Sequence, residues 1–330
     1  MGKSYFSTID KNVVNHDAEF FRLEANFTDI DHAGLKFVAK VIPGNSKDLE
    51  LNNKELKRLS DYIGKIPCVI IAPKDVQALL DAAEERRAFV DATISQYDKN
   101  YLLALGLYQK LLKRRNALLK AFVEKRFFDK TLMETIDEKM VEPTNYIFKS
   151  RKEFLNEFGS YFTTTYQLIC NKNETCTFQY KSSLLNKDIL SIFAENLERD
   201  KLLGRTTAGI HKDDLELFIG EYALKTFASQ GQIKSFIISM KLAQYNILRT
   251  KTNKLPILLL DDLFDKLDSN RVFSLLSLLS GDNYGQVFIT DTGVDQLPSL
   301  LAELKRDFKS FKIEKGNILN ELTHNYYSNK

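Results

Sequence analysis

Cysteine and histidine are scarce in this chain. Three cysteines (Cys68, Cys170 and Cys176) and four histidines (16, 32, 211 and 324) give neither a disulfide framework nor a paired metal-ligand motif. Long apolar runs are also missing. No window approaches the ~20 residues that a membrane-spanning helix needs, and no cleavable signal opens the chain, so a cytoplasmic protein with reduced thiols is expected. Charge of one sign is lacking too: 47 basic against 44 acidic residues leave a net +3. Global electrostatics therefore announces no nucleic-acid partner, and local patches must carry that argument. There is no internal repeat and no low-complexity linker. What remains is a chain of 330 residues, long enough for a large core in one or two domains.

The most informative stretch is Leu255–Asp268, LPILLLDDLFDKLD. Ile257 to Leu260 run unbroken into Asp261 and Asp262, which reads as a strand buried on both faces and ending in carboxylates. Such a strand end is where a parallel α/β sheet places its chemistry. Adjacent anions repel and are costly to desolvate, and a cation relieves both problems. One carboxylate that orders hydrated Mg²⁺ and another that positions water make the acidic half of a nucleotide-hydrolysing site. A strand followed by a solvated acidic turn explains the same residues equally well.

Upstream, Phe227-Ala228-Ser229-Gln230-Gly231-Gln232 precedes a stretch predicted as an amphipathic helix on Ile233, Phe236, Ile237, Met240, Leu242 and Ile247. A helix start with small polar residues offers free N–H groups and a hydroxyl to a phosphate; an ordinary cap by Ser229 is the plainer explanation.

Together the two motifs resemble the signature loop and Walker B strand of ABC-type ATPase heads, in the form found in the RecF family, which is related to SMC proteins. Gly204-Arg205-Thr206 with Gly209-Ile210-His211-Lys212-Asp213-Asp214-Leu215 is similar to that family's block ahead of the signature. Ala72-Pro73-Lys74-Asp75 and Glu85-Arg86-Arg87-Ala88-Phe89-Val90-Asp91 are similar to its N-terminal half, so the likeness spans nearly the whole chain.

The rest of the chain fits around these motifs. Residues 18–42 alternate as a hairpin turning at Asp29–Gly34; a strand near Leu49–Leu51 leads to a helix expected over Glu55–Ile63, and Cys68–Ile71 is a buried strand. The end of this strand resembles the place where ABC heads put their Q-loop, which implies Lys74, Asp75 or Gln77 for that residue; a loop capped by Asp75 before a helix explains the segment as well. From Asp75 to Leu203 the chain reads as nearly continuous helix. Tyr101, Leu105, Tyr108, Leu112, Leu119 and Phe122 form a seam interrupted by Arg115; Pro143 is expected to break the pattern before a second long helix carrying Ile147, Phe154, Phe158 and Phe162. Lys110, Lys113, Arg114, Arg115, Lys120, Lys125 and Arg126, against Glu124 alone, make a basic segment able to follow a phosphate backbone, or a solvated face. Arg86 or Arg87 is expected to anchor this lobe through Asp91 or Glu84. Cys176–Tyr180 is a returning strand and Leu184–Leu203 a last helix. Leu215–Ile219 then resumes the sheet, Asn270–Leu279 is a helix, Gln286–Thr290 the next parallel strand, and Phe308–Ile313 a final strand before a polar tail after Glu321.

One part of the pattern is absent. No G-x-x-x-x-G-K-[ST] occurs, and Gly2-Lys3-Ser4 imitates only its end. The chain is thus expected to be either a family member whose first fifty or so residues precede Met1, or a shortened paralogue.

The expected fold is α/β, an ABC-ATPase-like P-loop NTPase head (1–75 and 204–330) with an inserted helical lobe (76–203), its first strand and P-loop missing. The resemblance implies a RecF-type mediator acting with ATP and Mg²⁺ on double-stranded DNA at gaps or junctions, in replication, recombinational repair and the SOS response. It implies the partner RecR and an ATP-dependent homodimer. In that role Asp261 holds Mg²⁺ and Asp262 positions water, while Ser229, Gln230, Gly231 and Gln232 meet the partner's nucleotide. Asp268 bridges the heads, and Thr290 or Asp291 takes the switch position. A non-catalytic DNA-binding scaffold without the nucleotide site is the competing function.

Overall fold

Alternation between Phe21 and Ile42 folds as an antiparallel hairpin, β1 (Phe21–Thr28) and β2 (Gly34–Ile42), in register from Phe21 opposite Val41 to Thr28 opposite Gly34. The computed structural model describes residues 5, 9–28, 34–58, 61–125, 128–170, 174–264, 267–292 and 296–325. Apart from Gly34, the turn expected at Asp29–Gly34 lies outside them, as do Gly2–Ser4 and the end of the tail. β3 (Ser46–Leu51) pairs with β2, and β4 (Lys54–Glu55) with β3.

The helix expected over Glu55–Ile63 is absent among the described residues. Asn52 and Asn53 both take positive φ (51° and 61°), the two-residue hairpin geometry that amide side chains tolerate, and they return Glu55 to the sheet opposite Glu50. These strands belong to a unit covering Met1–Pro67, and the second unit is Cys68–Lys330.

The second unit opens with β5 (Cys68–Ile71), α1 (Pro73–Asp81), α2 (Ala83–Ile94) and α3 (Lys99–Lys125). α4 (Lys130–Ile169) follows as one helix containing Pro143, correcting the expected break. A helical proline costs about 3 kcal/mol, but here the flanking Met140 and Ile147 are fully buried, and the helix continues through Phe154, Phe158 and Phe162, all nearly inaccessible. Phe158 and Phe162 meet Phe178, and Phe162 also Phe236, at centroid separations of 4.7–5.8 Å, each pair adding roughly 1 kcal/mol beyond its burial. The break comes instead before Asp129, whose side chain caps α4 through Leu132 N–H.

β6 (Cys176–Lys181) and α5 (Ile189–Leu203) lead to β7 (Asp214–Ile219), β8 (Tyr222–Ala223) and the short α6 (Leu224–Phe227). β7 does not join the parallel sheet. It lies antiparallel between β6 and β8, where its one-sided burial is satisfied.

α7 (Gln230–Thr252) is the spine of the unit. The six apolar positions read from sequence are all 4% exposed or less, but so are Ser235 and Ser239, and Lys234, Lys241 and Gln244 are buried as well: the helix is enclosed nearly all round rather than amphipathic. After it come β9 (Ile257–Asp261), α8 (Ser269–Leu279), β10 (Val287–Thr290), α9 (Gln296–Glu303), β11 (Phe308–Glu314) and β12 (Asn317–His324). β5, β9 and β10 form a parallel sheet in the order β10-β9-β5. β11 and β12 pair antiparallel, so the expected polar tail begins as a strand. Among the described residues no helix is long and apolar enough to cross a membrane.

Candidate functional site

β9 is the central strand of the parallel sheet and ends at Asp261; Leu258 and Leu260 are buried on one face, while Ile257 and Leu259 are only half-buried on the other, short of the full two-sided burial expected from the apolar run. Thr290, opposite Asp261 in register, donates its hydroxyl to Asp261 Oδ1 at 2.6 Å. Asp262 N–H still bonds Thr290 O (3.1 Å), but the residue takes φ +48°, a left-handed conformation that aspartate tolerates better than most residues. The chain thereby leaves the strand sharply, and Leu263 is buried completely behind it. Asp291 is exposed. Among the described residues no three His, Cys, Asp or Glu side chains gather as a metal site. The Asp261 carboxylate suits Mg²⁺, a hard cation commonly held by one or two carboxylates with the rest of its shell from water and phosphate. The phosphate side is different, since no Gly-rich P-loop sequence exists in the chain to cradle it.

Ser229 is the N-cap of α7 in a reciprocal capping box: Gln232 N–H donates to Ser229 Oγ (3.3 Å) and Ser229 N–H to Gln232 Oε1 (2.8 Å). Ser229 and Gln230 are exposed, and Gly231 and Gln232 half-buried. The Gln232 amide also donates to Glu174 Oε1 at 3.1 Å. Asp268 caps α8 by accepting from Arg271 N–H (3.0 Å), and its other oxygen lies 3.2 Å from Arg271 Nε.

The relation between acids and signature follows from how α7 crosses the sheet. Lys241 Nζ donates to Ile70 O (3.0 Å), at the C-terminal end of β5, and Tyr245 OH accepts from Gly285 N–H (2.8 Å), just ahead of β10. α7 therefore runs against the strands, and its N-terminus points past the edge where Asp261 sits. Ser229 stands twelve residues ahead of Lys241, about 18 Å at ~1.5 Å per residue. The start of α7 and the carboxylate end of β9 therefore lie toward the same end of the sheet.

Of the Q-loop candidates, Lys74 and Gln77 are exposed and Gln77 bonds Asp81. Asp75 is buried: one oxygen accepts from Ala72 N–H (2.9 Å) and the other pairs with Lys241 (3.2 Å). Burial holds the Lys241 ammonium below its ordinary range, against the pull of Asp75.

The basic segment divides by solvation. Lys110, Lys113, Arg114 and Lys120 are exposed on α3, with Lys120 only 3.7 Å from Glu124. Arg126 and the Lys125 side chain lie outside the described residues. Arg115 does not belong to the exposed row: it is fully buried, bonding Asp137 (2.7 Å), Asp200 (2.6 Å) and Thr206 Oγ1 (2.9 Å) over the Phe193 ring. A guanidinium enclosed in this way cannot reach a DNA phosphate. Arg151, also buried, bonds Asp91 through two nitrogens, Asp213 Oδ2 (2.9 Å) and Ile210 O (2.8 Å). Burial raises the carboxyls of Asp137 and Asp213. Arg86 and Arg87 anchor the lobe through other partners than expected: Arg86 forks onto Asp214 (2.8 and 2.9 Å), and Arg87 onto Asp213 O (2.7 Å). His211 accepts or donates toward Tyr108 OH (2.7 Å) inside this block, and burial pushes its imidazole down to about 4.

No family model matches the chain. The DNA replication and repair protein RecF of Phocaeicola vulgatus is 40% identical over 324 residues, which is 96% of this chain and 85% of the relative. A solved structure of the recombination mediator protein RecF with ATP, in the RecFOR pathway, matches with a TM-score of 0.84 at 26% identity, over 98% of this chain and 85% of that one. The Smc head domain from Pyrococcus yayanosii, at 11% identity, shares the fold with a TM-score of 0.53 over 94% of this chain and 83% of that one. The architecture is thus the ABC-ATPase-like head common to RecF and Smc proteins, and the chain belongs to the RecF family of DNA replication and repair proteins.

Proposed function

We propose that the chain acts in the cytoplasm as a RecF-type recombination mediator in DNA replication and recombinational repair, binding double-stranded DNA at gaps or junctions and working with RecR. ATP is the family's nucleotide, as in the solved RecF–ATP structure. Its site is completed across two copies. Asp261, oriented by Thr290, holds Mg²⁺, and Asp262 positions water. Ser229, Gln230, Gly231 and Gln232 meet the triphosphate bound by the other head, Asp268 bridges the pair, and Thr290 or Asp291 lies at the γ-phosphate. When bound, the nucleotide supplies the phosphates that bridge the two molecules. The exposed row of Lys110, Lys113, Arg114 and Lys120 follows the DNA backbone.

The observation that carries this reading is the stand-off of Ser229 along α7. The corner lies about 18 Å along the helix from Lys241, whose Nζ reaches Ile70 O two residues short of the level of Asp261, and its polar residues at an exposed helix start are suited to another molecule's phosphates.

The test mixes this chain with an ATP-binding RecF relative. Mg·ATP is expected to drive a mixed pair, scored by sedimentation, that Ser229→Arg weakens at least about tenfold. Association indifferent to that substitution overturns the trans site. Alone, with no P-loop sequence, the chain is expected to show no ATP turnover; turnover abolished by Asp262→Asn would refute this.

A further inference from the structure

Ser229 and Asp268 each cap their own helix, and both caps are complete without help from elsewhere. Two side chains nevertheless join them. Glu174, just ahead of β6, accepts from the Gln232 amide with Oε1 (3.1 Å) and from Tyr166 OH with Oε2 (2.6 Å). Arg271, in the first turn of α8, directs Nη2 toward Glu174 Oε1 (3.7 Å), Nη1 to Ser235 Oγ on α7 (3.2 Å) and Nε to Asp268 Oδ2 (3.2 Å). Ser235 is fully buried, and the Arg271 and Glu174 side chains keep only 19% and 26% of their exposure. The guanidinium fork thus spans three pieces of chain that sequence separates widely, a geometry lysine cannot reproduce.

We propose that Glu174 and Arg271 are positioning residues that lock the Ser229 corner and Asp268 into one rigid edge, so that engagement of either by a second molecule is felt at the other. The inference deepens the trans-site reading and rests on it for its use, but not for its existence. Gln232 is the hinge pin: one end of its amide completes the Ser229 cap and the other is held by Glu174. Burial raises the Tyr166 hydroxyl far above its ordinary range, so it stays a donor and fixes the far side of Glu174. Removing either Glu174 or Arg271 leaves both caps formed and disconnects them.

Hydrogen–deuterium exchange of the chain alone tests this without nucleotide or partner. Arg271→Ala and Glu174→Ala are each expected to speed exchange about fivefold at the backbone amides of Gln232 and Ile233 and also at those of position 271 and Val272, the low end of inter-site coupling. The double variant is expected to add little to either single one. Glu174→Gln, which keeps shape and a hydrogen bond but loses the charge, should loosen the α8 start more than the α7 start. Arg271→Lys should recover part of the protection, and amides in the middle of α7 should not change. Singles that loosen only the helix beside them, with effects that sum in the double variant, overturn the coupling. Because the readout needs no dimer, its failure is distinct from failure of ATP-driven pairing.

Discussion

Arg114 and Arg115 are adjacent on α3, carry the same charge and live in opposite environments: the first is exposed and the second fully buried among Asp137, Asp200 and Thr206. The exposed basic row and the buried ionic core are built from the same residue types. A solvated charge is held by water and its removal costs little, whereas a buried pair is tolerable only while both members are present. The first kind of site is free to exchange partners, as a DNA-binding face must, and the second can only hold the fold together.

The comparison breaks most visibly if the two arginines respond alike. Arg115→Ala strands the inaccessible Asp200 carboxylate, and Arg151→Ala strands Asp91 and Asp213. Each is expected to cost about 3–5 kcal/mol in urea unfolding, while Arg114→Ala changes stability by less than about 0.5 kcal/mol. A loss under about 1 kcal/mol for Arg115→Ala would mean that water reaches the cluster.

The second test is pH. Burial depresses His211 from 6.5 to about 4 in the folded chain. Between these values the unfolded chain takes up a proton that the folded chain refuses, so stability falls as pH drops through the window. At about 1.4 kcal/mol per unit the loss reaches about 3 kcal/mol. Asp137 and Asp213, whose carboxyls are raised by burial, act with the opposite sign as pH falls toward 3.8, because the folded chain protonates them first. Unfolding curves for the parent and His211→Gln at pH 7, 6, 5 and 4 separate these contributions. The variant is expected to lose the slope between pH 6.5 and about 4; an identical slope would assign the dependence elsewhere.

How much of this was legible in the sequence depends on whether a residue's environment is set locally. The Asp261 strand was readable because a parallel strand with something packed on both faces carries a continuous apolar run, although the Ile257 and Leu259 face is only half-buried, and Ser229 because a cap is a local device. Arg115 was half readable. Its place in the seven-residue seam with Tyr101, Tyr108 and Phe122 puts it on the buried side, and only its charge suggested otherwise. Pro143 misled because sequence displays the lost N–H but not the packing around Met140 and Ile147 that outweighs it. Glu55–Ile63 lost to a turn made by Asn52 and Asn53, two residues that carry no hydrophobic period. Glu174 and Arg271 gave no signal at all: their meaning lies in partners far along the chain, which no spacing rule encodes.

The smallest expected effect concerns the exposed face itself. Lys113→Ala, Arg114→Ala and Lys120→Ala together remove three solvated cations from α3, and stability is expected to move by less than about 0.5 kcal/mol. If these residues follow a duplex, affinity for double-stranded DNA falls about tenfold at low salt, and the slope of log affinity against log salt flattens by up to ~0.9 for each phosphate no longer neutralised. Affinity should fall on every sequence alike, since phosphate contacts position the protein without reading bases. An unchanged salt slope would return the row to a merely solvated surface. The distinction between the two charged regions of α3 would then be one of stability alone, with no nucleic acid engaged by either.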